Sequence, residues 1–168
     1  MTTPTSSTEN LHSGRVALKP SLHSGRIDDD PIDGKRTRIV SLLMPTYNRQ
    51  YFLERQLKQI ARQVLPPGFA LQLVIVDDSP TRAPKELFED KKWIKYIYLD
   101  ARTSVGSKRA VGVAAADGEV IVHVDDDDVM TTTRVATQVH THTHTHARTT
   151  ASGSTIAARF LAGEAIND

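Results

Sequence analysis

Cysteine is absent from the 168-residue chain, which removes disulfide frameworks, zinc–thiolate centres and cysteine nucleophiles and allows a reducing compartment. A dominant charge sign is missing too: 21 Lys and Arg stand against 20 Asp and Glu, for a net charge of +1. No global field points to nucleic acid or a membrane surface as the partner, so the chemistry must come from local clusters. Long apolar runs are also lacking. Stretches such as IVSLLM at 39–44 fall far short of the about 18 residues of a spanning helix, and the N-terminal MTTPTSSTEN has no apolar segment of the kind a signal peptide carries. With neither signal nor anchor visible, the default expectation is a cytoplasmic location. No GxxxxGK[ST] occurs, which excludes a P-loop. The length suits one domain with a proper core and leaves no room for a second.

What is present falls into three parts. Residues 1–37 are rich in Ser, Thr, Pro, Gly and charge and contain LHSGR twice, at 11–15 and 22–26. So little apolar area cannot offset the entropy of ordering, and a disordered leader is expected. From Ile39 to about residue 130, short apolar runs alternate with helical periodicity. IVSLLM (39–44), LQLVIV (71–76), IKYIYL (94–99) and EVIVHV (119–124) read as strands. Leu53, Leu57, Ile60, Ala61 and Val64 fall at helical spacing until Pro66-Pro67-Gly68 stops them, Pro84 suits a first helical turn, and Ser104 caps a helix ending at Asp117-Gly118. This alternation indicates an α/β domain with a mainly parallel sheet. The remainder, 131–168, reads as a His/Thr-rich tail of low complexity without order, with one or two helical turns at TTTRVATQV. Had HTHTHTH formed a strand, His140, His142, His144 and His146 would share one face; without a surrounding fold that tract is read as adventitious at most.

Three polar clusters follow strand ends: Pro45-Thr46-Tyr47-Asn48-Arg49, Asp77-Asp78-Ser79, and Asp125 to Asp128. In an open parallel sheet the carboxyl edge is where ligands bind, so loops some eighty positions apart are expected to meet in one crevice. Four adjacent carboxylates repel one another. A hard divalent cation, Mg²⁺ or Mn²⁺, would relieve them and bridge to phosphates, which predicts a metal–diphosphate site; a solvated acidic loop that merely ends the strand is the competing reading. His123 is expected to be a core or half-exposed residue rather than a ligand.

MPTYNR, then VIVDDS, then a Gly-Ser-Lys-Arg helix leading through AAADGEVIVHVDDDD resembles the nucleotide-binding half of family 2 glycosyltransferases over residues 38–130. The resemblance implies the GT-A fold, a Rossmann-like three-layer α/β/α sandwich with a mainly parallel sheet, here cut short after the acidic run. It implies a nucleotide diphosphate sugar as partner, a UDP-sugar first, with Mn²⁺ or Mg²⁺ as cofactor and transfer of the sugar to an acceptor hydroxyl. Pro45 and Tyr47 would line the nucleotide pocket together with Asn48 and Arg49, Tyr47 stacking on the base and Asp78 accepting a hydrogen bond from it. Asp77 would support that loop, and Lys108 and Arg109 would lie near the diphosphate. In the acidic run, Asp127 and Asp128 would contact ribose and metal, with Asp125 close behind. Two departures stand out. Ala110 replaces the Asn usual after the helix Arg, and nothing in the last forty residues reproduces the family's later catalytic carboxylate; Glu164 and Asp168 lie in a poor context for a general base. A non-catalytic nucleotide-sugar-binding module is therefore an open alternative. So is a haloacid dehalogenase-like phosphatase with Asp125 as nucleophile and Asp127 as its partner.

Overall fold

The computed structural model describes residues 37–145, and the backbone course of 149–152 and 155–159. Strands β1 (Arg38–Thr46), β2 (Phe69–Asp77), β3 (Ile94–Tyr98) and β4 (Val120–His123) alternate with helices α1 (Gln50–Ile60) and α2 (Val105–Ala115). Helix α3 (Arg134–Thr145) and strands β5 (Thr149–Ser152) and β6 (Thr155–Arg159) follow. They form a six-stranded sheet in the order β3-β2-β1-β4-β6-β5. The first four strands pair in parallel, whereas β6 runs antiparallel to both β4 and β5.

β1 and β2 are central strands covered on both faces, which is why they read as continuous apolar runs. Side chains alternate between the faces. Val40, Leu42 and Met44 of β1 join Leu71, Leu73 and Ile75 of β2 in a core completed by Leu53, Leu57 and Ile60 of α1 and by Val135 and Val139 of α3. Leu43 points the other way, against α2, where a Cβ on Gly112 would come within 2.5 Å of its side chain. The helices thus form layers on the two faces of the sheet, as the sequence pattern predicts. Ser104 caps α2 by accepting the Ser107 amide at 3.0 Å.

At the opposite edge from the strands' carboxyl ends, Gly118 lets the turn into β4 lie directly on β1. Its amide donates to Ser41 Oγ at 2.9 Å, and Ser41 Oγ in turn meets Gln72 Oε1 at 2.6 Å. A Cβ at Gly118 would lie 2.6 Å from the Ser41 amide nitrogen and 2.9 Å from the Ile39 carbonyl oxygen. Both are backbone atoms of a buried strand and cannot yield cheaply. Gly118→Ala is therefore expected to cost about 1–3 kcal/mol, read as a fall in the urea midpoint with unchanged slope; an unchanged midpoint contradicts the close approach.

The tract after Met130 departs from the sequence expectation. Instead of one or two turns and an unordered His/Thr stretch, α3 runs from Arg134 to Thr145. Val135, Gln138, Val139 and His142 are buried along one helical face. The Thr hydroxyls at 137, 141 and 143 bond back to carbonyls three or four residues earlier, so they do not compete with the helix. The period of two in HTHTHTH is overridden by the buried period of α3. Consequently the histidines do not share a strand face: His142 is buried while His140 is exposed. His146, the LHSGR repeats, Glu164 and Asp168 lie outside the described residues. Among the described residues, no helix is long and apolar enough to cross a membrane.

Candidate functional site at the carboxyl edge of the sheet

Because β1, β2 and β4 are parallel neighbours, their carboxyl ends deliver three loops to one rim, and specific bonds stitch those loops together. Thr46 at the end of β1 donates to Asp126 Oδ2 at 2.6 Å, and Arg49 Nη1 donates to Asp126 Oδ1 at 2.9 Å. Arg49 also pairs with Asp127. The Asn48 amide donates to Ser79 Oγ at 2.7 Å, which joins the first loop to the second. Asn48 is the one non-glycine residue with positive φ among the described residues, at 52°. Asn tolerates this left-handed conformation better than most residues, and it turns the chain sharply after Tyr47.

The second loop is built around two buried carboxylates. Asp77 is wholly buried and accepts the Ser79 amide at 2.9 Å and the Tyr96 hydroxyl at 2.6 Å, along with the Ser79 hydroxyl. It supports the loop from within. Burial, with Asp77 as its hydrogen-bond acceptor, drives the Tyr96 phenol far above its ordinary range. Asp78 also has a side chain with no exposure. It accepts Lys108 Nζ at 2.7 Å and the Thr103 amide at 2.6 Å, with Arg102 Nη1 at 3.7 Å. Burial alone would push the Asp78 carboxyl up; the Lys108 hydrogen bond, the Thr103 amide and the charges of Lys108 and Arg102 outweigh it and hold the carboxyl below its ordinary value.

Lys108 is not the surface cation its position on a helix suggests. Its ammonium is buried and also donates to the Thr46 carbonyl at 2.8 Å, so it ties α2 to the ends of β1 and β2. Tyr47 lies above it, half-buried, with Lys108 Nζ 6.0 Å from the ring centroid. The Arg102 guanidinium covers the ring at 3.2 Å from its centroid. Pro45 is buried within β1 opposite Val76, one residue short of the rim.

In the acidic run each carboxylate faces a cation from elsewhere. Asp125 lies 3.6 Å from Arg109 and Asp128 lies 3.3 Å from Arg134, while Asp126 and Asp127 share Arg49. Three arginines from three separate segments thus offset the repulsion of four neighbouring charges. Asp126 is nearly buried, whereas the side chains of Asp125 and Asp127 are 40% and 50% exposed. Among the described residues no three acidic or histidine side chains gather into a metal cage. His123 is half-buried on β4, as expected; burial first and the Arg109 charge second hold its imidazole below the ordinary value, against the opposing pull of Asp125.

Several members of this rim carry no readable signal in the sequence. Arg102 and Thr103 come from the irregular segment before α2, and Tyr96 from the edge strand β3. Thr46 and Asp126 lie within the quoted clusters, but their mutual bond appears only once the strands are paired.

A mainly parallel sheet with helices on both faces, carrying cationic and carboxylate side chains at its carboxyl rim, defines an open α/β protein of the class whose ligands bind at that rim. Within that class the profile of Glycosyl transferase family 2 matches residues 41–153, and the chain belongs to that family. It is 29% identical over 113 residues to validoxylamine A glucosyltransferase of Streptomyces hygroscopicus subsp. limoneus, a match covering 64% of this chain and 25% of that protein. It is 30% identical over 92 residues to the poly(ribitol-phosphate) β-N-acetylglucosaminyltransferase TarS of Staphylococcus aureus, covering 52% of this chain and 16% of that one. Among solved structures, TarS superposes with a TM-score of 0.56 at 25% identity, over 66% of this chain and 20% of TarS. The mannosyltransferase PcManGT of Pyrobaculum calidifontis, in complex with GDP-Man and Mn²⁺, does so with a TM-score of 0.54 at 25% identity, over 67% of this chain and 34% of its own. The fold is of the GT-A type. The chain spans a quarter or less of the length of these two curated relatives.

Proposed function

We propose that this chain binds a nucleotide diphosphate sugar at the rim formed by Tyr47, Asp78, Arg109 and the acidic run, as the donor half of a glycosyltransferase that passes the sugar to an acceptor hydroxyl. The observation that carries the reading is the stitching of three strand-end loops into one rim, with Arg49 bonded to Asp126 and Asp127 and Lys108 bonded to Asp78 and Thr46. Family membership and the nucleotide-sugar ligand of PcManGT support it.

The geometry supports the following roles. A base stacking on Tyr47 takes the place of the Arg102 guanidinium, exchanging a cation–π contact for a ring–ring one. Movement of Arg102 also takes its guanidinium away from Asp78, whose carboxylate would then accept from the base while Lys108 keeps it ionised. Arg109, with a side chain 36% exposed, is the cation placed to meet a diphosphate. Lys108 serves inside the fold.

A divalent cation fits the donor set. Mg²⁺ and Mn²⁺ favour carboxylate oxygens, and Mg²⁺ in particular keeps waters and is held by one or two carboxylates plus substrate phosphates, so a three-residue cage is not required. Asp125 and Asp127, the two exposed carboxylates, would hold it. When bound, the ion would offset charge on the departing nucleotide diphosphate. Asp128, turned towards Arg134, contributes to the shape of the loop instead.

Isothermal titration of UDP and of GDP into the full chain, each with and without Mn²⁺, is the direct test. Saturable one-site binding, tightened by the ion, is expected for at least one nucleotide. Absence of saturable binding for both removes the reading. Release of sugar from the matching nucleotide sugar then measures transfer.

A further inference from the structure

Helix α1 carries Gln56 and Gln59, with Gln63 just beyond its last turn, and all three aim their carboxamides at the segment following the acidic run. Gln56 Nε2 donates to the Asp128 carbonyl at 2.7 Å. Gln59 reaches the same carbonyl at 3.4 Å and accepts the Met130 amide at 3.2 Å. Gln63 donates to the Thr131 carbonyl at 2.9 Å and accepts the Val135 amide at 3.2 Å. Beside them the Val64 amide donates to the Thr132 carbonyl at 2.7 Å, and Arg55 reaches the Asp127 carbonyl at 3.3 Å.

Residues 128–133 form neither helix nor strand, so their backbone groups have no ladder of their own and must find partners elsewhere. A carboxamide both donates and accepts. Gln59 and Gln63 therefore each close a two-point bridge, much as a neighbouring strand would. Gln56 is wholly buried beside Leu53, Leu57 and Ile60, a place where an amide costs free energy unless it is bonded. Its bonds to Asp128 and to Gln59, at 3.3 Å, supply that partner on both sides of the carboxamide.

We propose that Gln56, Gln59 and Gln63 are positioning residues for the acidic rim: they fix the backbone from Asp128 to Val135 and so, through the adjoining peptide, the direction in which Asp127 presents its carboxylate. The proposal rests on the ion-assisted nucleotide site argued above. It goes beyond that site by assigning the rim's geometry to one face of α1, none of whose glutamines touches nucleotide or ion.

The test compares the full chain with a Gln59→Met/Gln63→Met variant, which keeps the bond from Gln56 to the Asp128 carbonyl and removes the donor that Gln59 offers to Gln56. Val74→Ala, in the buried centre of β2 away from the loop, serves as a control that loses stability alone. Amide hydrogen exchange is expected to quicken by about tenfold or more at Met130 and Val135 in the double variant, while amides of β1 and β2 stay protected. The tightening of UDP binding by Mn²⁺ is expected to shrink by about fivefold or more, with ion-free affinity within about twofold of the parent. Val74→Ala should keep the full ion effect. Unchanged exchange at those two amides, or a full ion effect in the double variant, overturns the proposal. A parent chain that shows no ion effect overturns the metal reading instead, and the exchange result then decides on the glutamines by itself.

Discussion

Replacing Lys108 with methionine is expected to destabilise the fold by about 3–5 kcal/mol, because it removes one partner of a buried ion pair and strands the other. The side chains of Lys108 and Asp78 are 4% and 0% exposed and their charged atoms are 2.7 Å apart. Methionine fills similar space but leaves Asp78 with the Thr103 amide and a more distant Arg102. The acid dependence identifies the cause. In the parent the folded-state pKa of Asp78 is depressed, so its contribution is fully present above the unfolded value of about 3.9 and is lost as pH falls through the folded value. Without Lys108, burial takes over and raises that pKa, so protonation relieves the variant. The stability difference between parent and Lys108→Met, measured by urea unfolding at pH 7 and again near pH 4.5, should therefore narrow in acid. A difference independent of pH means that packing, not the stranded carboxylate, carries the loss. Adding Asp78→Asn to the variant should recover part of it at neutral pH.

Lys108 also shows where sequence reading reaches its limit. The resemblance sets it beside Arg109 near the diphosphate, which presupposes an accessible cation, and lysine is almost never fully buried unless paired. The pairing partner lies thirty positions earlier, in the loop that follows β2, a relation that spacing cannot reveal. The strands themselves were legible: each of the four apolar runs lies within, or overlaps by all but a residue or two, an observed strand, because central parallel strands are apolar on both faces. The meeting of the three loops was legible for the same reason, since parallel order alone sends every strand end to one edge. Hidden were the countercharges. Arg49, Arg109 and Arg134 come from a loop and two helices, and only the folded chain brings them to successive aspartates. In α1, Leu53, Leu57 and Ile60 announced the buried face, but Gln56 on that same face did not; its burial makes sense only beside the Asp128 carbonyl. In α3 the Thr–His alternation masked a helical face set by Val135, Val139 and His142.

The second large effect concerns the two exposed members of the acidic run. Asp125→Asn/Asp127→Asn is expected to abolish the tightening of nucleotide binding by Mn²⁺, a loss of at least about tenfold in Kd or about 1.4 kcal/mol. The sign of the accompanying change is distinctive. Asp127 engages Arg49, and Asp125 faces Arg109; neutralising both carboxylates frees Arg109, leaves Arg49 with Asp126 alone, and removes two negative charges from the path of a diphosphate. Ion-free affinity should therefore hold or improve while the ion effect disappears, a crossing that general unfolding cannot produce. Asp128→Asn, at the carboxylate paired with Arg134, should retain the ion effect. Tyr47→Ala should weaken binding by roughly 1–3 kcal/mol with and without the ion, the worth of a base on an aromatic platform. Calorimetric titration of UDP and GDP against the four proteins reads all of these at once. If the Asp125/Asp127 variant keeps the parent's full response to Mn²⁺, those carboxylates do not hold the cation, and the arginines around them are there to neutralise a structural loop.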